Sequence, residues 1–173
     1  MNTFKKKLAL FFARRKFFKE KDKVVNFNKF ITMSRKYLII LPARQIDVHS
    51  AMDVINHFLL NQKDVTIIYA DSVNLNVPPE VKKVTYTEKD ISRLELPGKD
   101  FLHKVTNYVY DVIIDLNLED NFFSSLLAKA AKGKFVIGFK KENSDEFYNF
   151  QVANNQNNAE ISYRNLLNSL SMF

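Results

Sequence analysis

Six polar residues in two short stretches are of the right types to do chemistry: Arg44, Asp47 and His49 follow one apolar run, and Asp115, Asn117 and Asn121 follow another. A carboxylate beside a substrate hydroxyl can act as a general base, and a guanidinium can grip phosphate or carboxylate oxygens at two points. Asp47 is the candidate base, and Arg44, His49, Asp115, Asn117 and Asn121 form the candidate substrate-binding set. The same residues have a plainer use, with Asp47 capping a helix and Asp115 accepting hydrogen bonds from loop amides. Other chemistries lack their residues. Cysteine is absent, which removes disulfides, thiolate metal sites and thiol nucleophiles. His49, His57 and His103 show no metal-ligand spacing, so no metal is expected. No Gly-x-Gly-x-x-Gly or P-loop pattern follows an apolar run, so no nucleotide cofactor is expected. There is no Gly-x-Ser-x-Gly elbow, and Ser124-Ser125 reads as a helix start.

Two distant stretches become one site only if the fold brings them together. The segment from Tyr110 to Phe139 runs from an apolar β-branched run (Val112 to Ile114) through a polar turn to an Ala/Leu-rich helical stretch. It then passes Gly133 into a second apolar run, Phe135 to Ile137. That is the pattern of strand, crossover helix and parallel strand. Tyr37–Leu41, Val65–Ala70 and Val81–Tyr86 read as further strands, and helical spacing returns at Ala51–Leu59, Phe101–Tyr108 and Ile161–Phe173. The alternation predicts an α/β fold: a Rossmann-like, mostly parallel sheet of about five strands flanked by helices. In such sheets ligands bind at the carboxyl ends of the strands, where the strand order reverses. Adjacent first and fourth strands would set the two polar turns on either side of that crevice.

With 173 residues, 46% of them hydrophobic, and only 3 Gly and 4 Pro, the chain fits one folded domain plus an appendage. The predicted divisions are a basic arm over 1–35, the α/β domain over 36–153 and a carboxyl-terminal helix over 154–173. The net charge of +7 is unevenly spread. Residues 1–36 hold 12 Lys/Arg and 2 acids, or +10, leaving 14 − 17 = −3 for the rest. In the arm, Phe4, Leu8, Phe11, Phe12 and Phe18 recur at helical spacing among Lys5, Lys6, Lys7, Arg14 and Arg15. One reading is a helix lying in an anionic membrane interface, contacted by those ten residues. The other is a helix packed on its own domain with its lysines reaching out to water. The charge lacks the patterned motifs that accompany nucleic-acid binding. No apolar run approaches the ~20 residues of a membrane span, and Leu8–Ala13 is short for an export signal. The expected location is cytoplasmic, with the arm allowing peripheral contact with the inner membrane.

Tyr-Asp-Val-Ile-Ile-Asp-Leu-Asn-Leu (110–118) is similar to the phospho-acceptor strand of receiver domains. However, Leu41 is followed by Pro42-Ala43-Arg44, where that family carries paired acids. A longer resemblance runs from about Lys36 to Val152. Leu41-Pro42-Ala43-Arg44-Gln45-Ile46-Asp47-Val48, Asp111-Val-Ile-Ile-Asp115-Leu-Asn117 with Phe123-Ser-Ser-Leu-Leu-Ala128, and Gly133 to Phe139 follow in order. Together they resemble the amino-terminal half of heptosyltransferase-type glycosyltransferases (family nine) of lipopolysaccharide core synthesis. The resemblance implies half of a two-domain GT-B enzyme: an acceptor-side domain for a lipid-linked saccharide, with the family's catalytic base mapping to Asp47. The sequence departs from the pattern where Ile46 replaces the glycine before that Asp, and where the donor-binding domain should follow. Since both reactants must be held in attack geometry, the chain alone is not expected to be a competent transferase. A partner chain would have to supply the donor side. The alternative is a non-enzymatic scaffold that keeps the fold.

Overall fold

The structure, a computed structural model, describes residues 3–17 and 26–173, and in the first segment the side chains of 8–15. The elements in chain order are α1 (Thr3–Phe17), α2 (Phe30–Met33), β1 (Lys36–Ile40), α3 (Gln45–Leu60), β2 (Asp64–Ala70) and β3 (Lys82–Tyr86). They continue with α4 (Lys99–Thr106), β4 (Val112–Asp115), α5 (Phe122–Ala130), β5 (Phe135–Phe139), β6 (Phe150–Val152) and α6 (Ala159–Leu170). The fold is α/β and Rossmann-like. Six strands form one sheet in the order β3-β2-β1-β4-β5-β6, and every pairing is parallel. The order reverses between β1 and β4, which pair directly from Tyr37↔Val112 to Ile40↔Asp115. β6 is the strand that the sequence pattern leaves out.

The central strands are apolar on both faces because helices cover both. Side chains alternate along a strand, so Tyr37, Ile39, Leu41, Val112 and Ile114 enter one core. That core also takes Val54, Ile55 and Phe58 of α3 and Tyr163, Leu166 and Leu170 of α6. Leu38, Ile40 and Ile113 enter the other, with Phe101 and Val105 of α4, Leu126 and Leu127 of α5, and Ala9 and Ala13 of α1. Phe30 from α2 belongs to the first core. Segments that the sequence set apart as an arm and a terminal helix therefore both contribute buried side chains.

The two ends of the sheet are fastened differently. At the amino ends, Asp111 Oδ2 accepts from the backbone N–H groups of Arg35 and Lys36, both at 2.9 Å, joining β1 to β4. Nearby, the Lys63 ammonium donates to the carbonyls of Ile31, Thr32 and Ser34 at 2.8–3.0 Å. The carboxyl ends carry the two polar turns. Among the described residues, no helix is long and apolar enough to cross a membrane.

Candidate functional site

The two turns meet as the reversal of strand order requires. Ala43 N–H donates to Asn117 Oδ1 at 2.8 Å, and Asn117 Nδ2 donates to the carbonyl of Leu41 at 3.3 Å. Arg44 pairs with Glu119 across the same gap. The sequence brings the turns together, but it does not bring the two acids together. Asp115 follows Ile113 by two residues and so points to the same face of the sheet, toward α5. Asp47 rides on α3, which covers the opposite face. The expectation that Arg44, Asp47 and His49 face Asp115 as one cluster is corrected by the pleat, which turns Asp115 toward the α5 side while α3 carries Asp47 on the other.

Asp115 is fully buried and its acceptor capacity is used within the protein. Oδ1 accepts from the backbone N–H and side-chain amide of Asn117, at 3.0 and 2.7 Å. Oδ2 accepts from Ser124 Oγ at 2.9 Å and Tyr148 OH at 2.6 Å. A carboxylate offers about four lone-pair directions; three are taken by the Asn117 and Tyr148 donors, and Ser124 Oγ, which also lies 3.0 Å from the Asn121 carbonyl, stands against the fourth. The Tyr148 phenol is pushed far above its ordinary pKa, by burial first and then by the charge and hydrogen bond of Asp115, so it stays a donor. Its oxygen also lies 2.7 Å from Ser125 Oγ.

The expected substrate-binding residues around it are engaged likewise. Asn121 caps α5 by accepting from Ser124 N–H at 3.0 Å, and its amide reaches Asn117 Oδ1 at 3.4 Å. The Asn117 carbonyl accepts from the Lys141 ammonium at 2.6 Å, which also reaches the Glu119 carbonyl at 3.2 Å. Tyr163 of α6 is fully buried and donates to the carbonyl of Leu116 at 2.9 Å. The crevice at the switch point is thus filled by side chains.

Asp47 differs. It is 5% exposed, and its partner is Arg44 Nε at 3.4 Å. Burial pushes its carboxyl above the usual carboxylate range. Arg44 pulls it back down, and Glu119 adds to the rise. It does not cap α3: the helix already starts at Gln45, with Arg44 at the cap position making no side-chain cap bond. Asp47 sits in the first turn, where the helix dipole favours a negative charge. Ile46, in the same turn, has no left-handed backbone to resist and is exposed. His49 is exposed too. Two residues along a helix turn a side chain by about 200°, which carries His49 away from Asp47.

Tyr148, Lys141 and Tyr163 are not among the candidate site residues read from the sequence, and Ser124 is marked there only as a helix start. One signal pointed at Tyr148: the glycine within β5. A Cβ on Gly138 would come within 2.7 Å of the Tyr148 ring. Beside this network a cavity of about 30 Å³ is lined by Leu10, Asn121, Phe122, Ser125, Lys141 and Tyr148. Small-molecule sites run to roughly 300–1,000 Å³, so it has room for water and not for a sugar.

The arm divides by face. Ala9 and Ala13 of α1 are buried against the domain with Leu10 partly so, while Leu8, Phe11 and Phe12 are exposed. Arg14, expected at a membrane, is held by the domain: its guanidinium makes a two-point pair with Glu146 at 2.6 and 2.9 Å. The side chains of Phe4, Lys5, Lys6 and Lys7, and the whole of Phe18, lie outside the described residues.

Residues 5–173 match a family of unknown function, DUF6913, and the chain belongs to it. No curated protein and no solved structure matches the chain.

Proposed function

We propose that this member of DUF6913 is a non-enzymatic scaffold, a Rossmann-like domain whose ligand crevice has been turned into an internal hydrogen-bond network. The observation that carries this reading is the saturation of Asp115. A buried carboxylate that accepts from the Asn117 backbone, the Asn117 amide and the Tyr148 hydroxyl, with Ser124 Oγ packed against it, presents no open side to a substrate. Opening the crevice would break the hydrogen bonds from Tyr148 and Asn117 to that charged group, at roughly 1.5–3 kcal/mol each. The test is an amide-resolved NMR titration of the full chain with nucleotide sugars and sugar phosphates at millimolar concentration. The scaffold reading expects no saturable shifts in residues 42–49 and 115–121. Saturable shifts confined to both turns would refute it.

One observation favours the second reading, a glycosyltransferase-type acceptor-side domain working at the cytoplasmic face of the inner membrane. Asp47 lies just beyond the carboxyl end of β1, with its carboxyl raised by burial and Arg44 beside it. A general base works best with a pKa nearer the working pH. In this reading the acceptor is a lipid-linked saccharide, and a partner chain brings the donor domain. Asp47→Asn should then abolish transfer in the reconstituted pair while leaving the unfolding midpoint within about 1 kcal/mol of wild type. Unchanged turnover would remove Asp47 from the mechanism.

A further inference from the structure

We infer that the outward face of α1 is a docking surface for an anionic lipid membrane, and that the small face of the same helix fixes its orientation on the domain. The inference holds for either reading of the crevice. Successive residues on a helix turn by about 100°. Ala9 and Ala13 therefore share one side, and Leu8, Phe11, Phe12 and Arg15 share the other. The inner side is settled: both alanines are fully buried, and Arg14 is tied to Glu146 at the edge. The outer side leaves Phe11 60%, Phe12 45% and Leu8 38% exposed, with the two rings in edge contact at 5.7 Å between centroids. Three large apolar side chains on one exposed helical face are more than scattered surface residues.

Charge selects the occupant. Residues 1–19 contain seven Lys/Arg (Lys5, Lys6, Lys7, Arg14, Arg15, Lys16, Lys19) and no acid. The partner must therefore offer negative charge and an apolar phase together. A bilayer rich in acidic phospholipids offers phosphates at the depth of the basic side chains and acyl chains just beneath, where phenylalanine and leucine can insert. Nucleic acid supplies the phosphates but no aliphatic phase for Leu8. At about 1.5 Å per residue, the 15 residues of α1 span roughly 22 Å, and the helix would lie flat in the interface.

Deleting the arm is a poor test, because Ala9 and Ala13 belong to a core. Substitutions on the exposed face avoid that difficulty. The full chain is floated with vesicles of phosphatidylglycerol and phosphatidylcholine, with phosphatidylcholine alone, and with the anionic vesicles in 0.5 M salt. Flotation with the anionic vesicles only, reduced at high salt, is the expected result. The double variant F11S/F12S, checked for an unchanged circular dichroism spectrum, should bind about tenfold less or weaker still. The chain has no tryptophan, so Phe12→Trp supplies a single reporter whose emission should shift to the blue on anionic vesicles. Failure to float overturns the inference, as does equal binding by F11S/F12S or an unshifted emission in the bound state. Retarding single-stranded DNA without binding vesicles would overturn it in favour of a nucleic-acid surface.

Discussion

Asp115 and Asp47 sit at the same end of the same sheet, one at the tip of β4 and the other a turn beyond β1. Their surroundings nevertheless give them opposite work. Asp115 lies on the α5 side among four donors, and its charge holds a turn, a helix start and a tyrosine together. Asp47 lies on the α3 side, nearly as buried, with Arg44 as its ion-pair partner and a carboxyl that burial pushes toward neutrality. Topology decides that two acids arrive at one rim, and the neighbours on each face decide what each acid is for.

The comparison breaks first if Asp115 proves dispensable. Asp115→Ala should cost about 3–5 kcal/mol of unfolding free energy in urea, because it removes the carboxylate acceptor of the buried hydrogen bonds from Asn117, Ser124 and Tyr148. A loss under 1 kcal/mol would mean that the crevice opens easily. Next in size is Gly138→Ala, which adds a methyl 2.7 Å from the Tyr148 ring and should cost about 1–3 kcal/mol. Its companion reading is the Tyr148 ring signal in near-ultraviolet circular dichroism, which should change with it.

The smallest effects carry the sharpest contrast, because they differ in sign. The folded-state pKa of Asp47 is raised. Its contribution to stability is therefore present below the unfolded value near 4 and lost as pH rises through the folded value. Asp47→Asn stays neutral, so it should gain on wild type, by up to about 1 kcal/mol, between pH 4 and 7. At Asp111, burial tends to raise the carboxyl, but the backbone hydrogen bonds from Lys36 and Arg35 outweigh it and leave the pKa lowered. That contribution is present above the unfolded value and lost as pH falls through the folded one. Asp111→Asn should therefore be less stable than wild type by about 1 kcal/mol at pH 7, with the gap closing toward pH 2. Parallel slopes for the two variants would erase the contrast.

Much of the architecture is legible in the chain because buried parallel strands announce themselves as apolar runs: Tyr37–Leu41, Val65–Ala70 and Phe135–Ile137 fall on β1, β2 and β5 to within two residues at each end. The pairing of β1 with β4 is the condition on which the crevice depends, and the sheet order meets it. β6 is not legible, since Phe150-Gln151-Val152 is too short to show a period and only a single 3-10 turn, Ser144–Glu146, precedes it. Asp47 has the residue type of a helix cap, whereas α3 begins two residues before it with no side-chain cap. In α1 the spacing of the phenylalanines leaves open whether their face meets a membrane or the domain, and the structure turns Phe11 and Phe12 outward. Packing close to α5 needs small side chains, so the alanines turned inward. The site was half legible. Arg44, Asp47, Asp115, Asn117 and Asn121 are at the rim as placed, but period-2 alternation, applied to Ile113 and Asp115, would already have set the two acids on opposite faces. Tyr163 arrives from a distant segment with no local pattern to mark it, and Tyr148 is marked only indirectly, by the glycine in β5 that makes room for its ring.

The central claim is that Asp115 is engaged inside the protein, and a double-mutant cycle in urea on Asp115→Asn and Tyr148→Phe tests it most directly. A network held by a 2.6 Å hydrogen bond to a buried carboxylate predicts a coupling of about 1.5 kcal/mol or more between the two sites. Additivity within about 0.3–0.5 kcal/mol would contradict it and leave Asp115 free for a ligand.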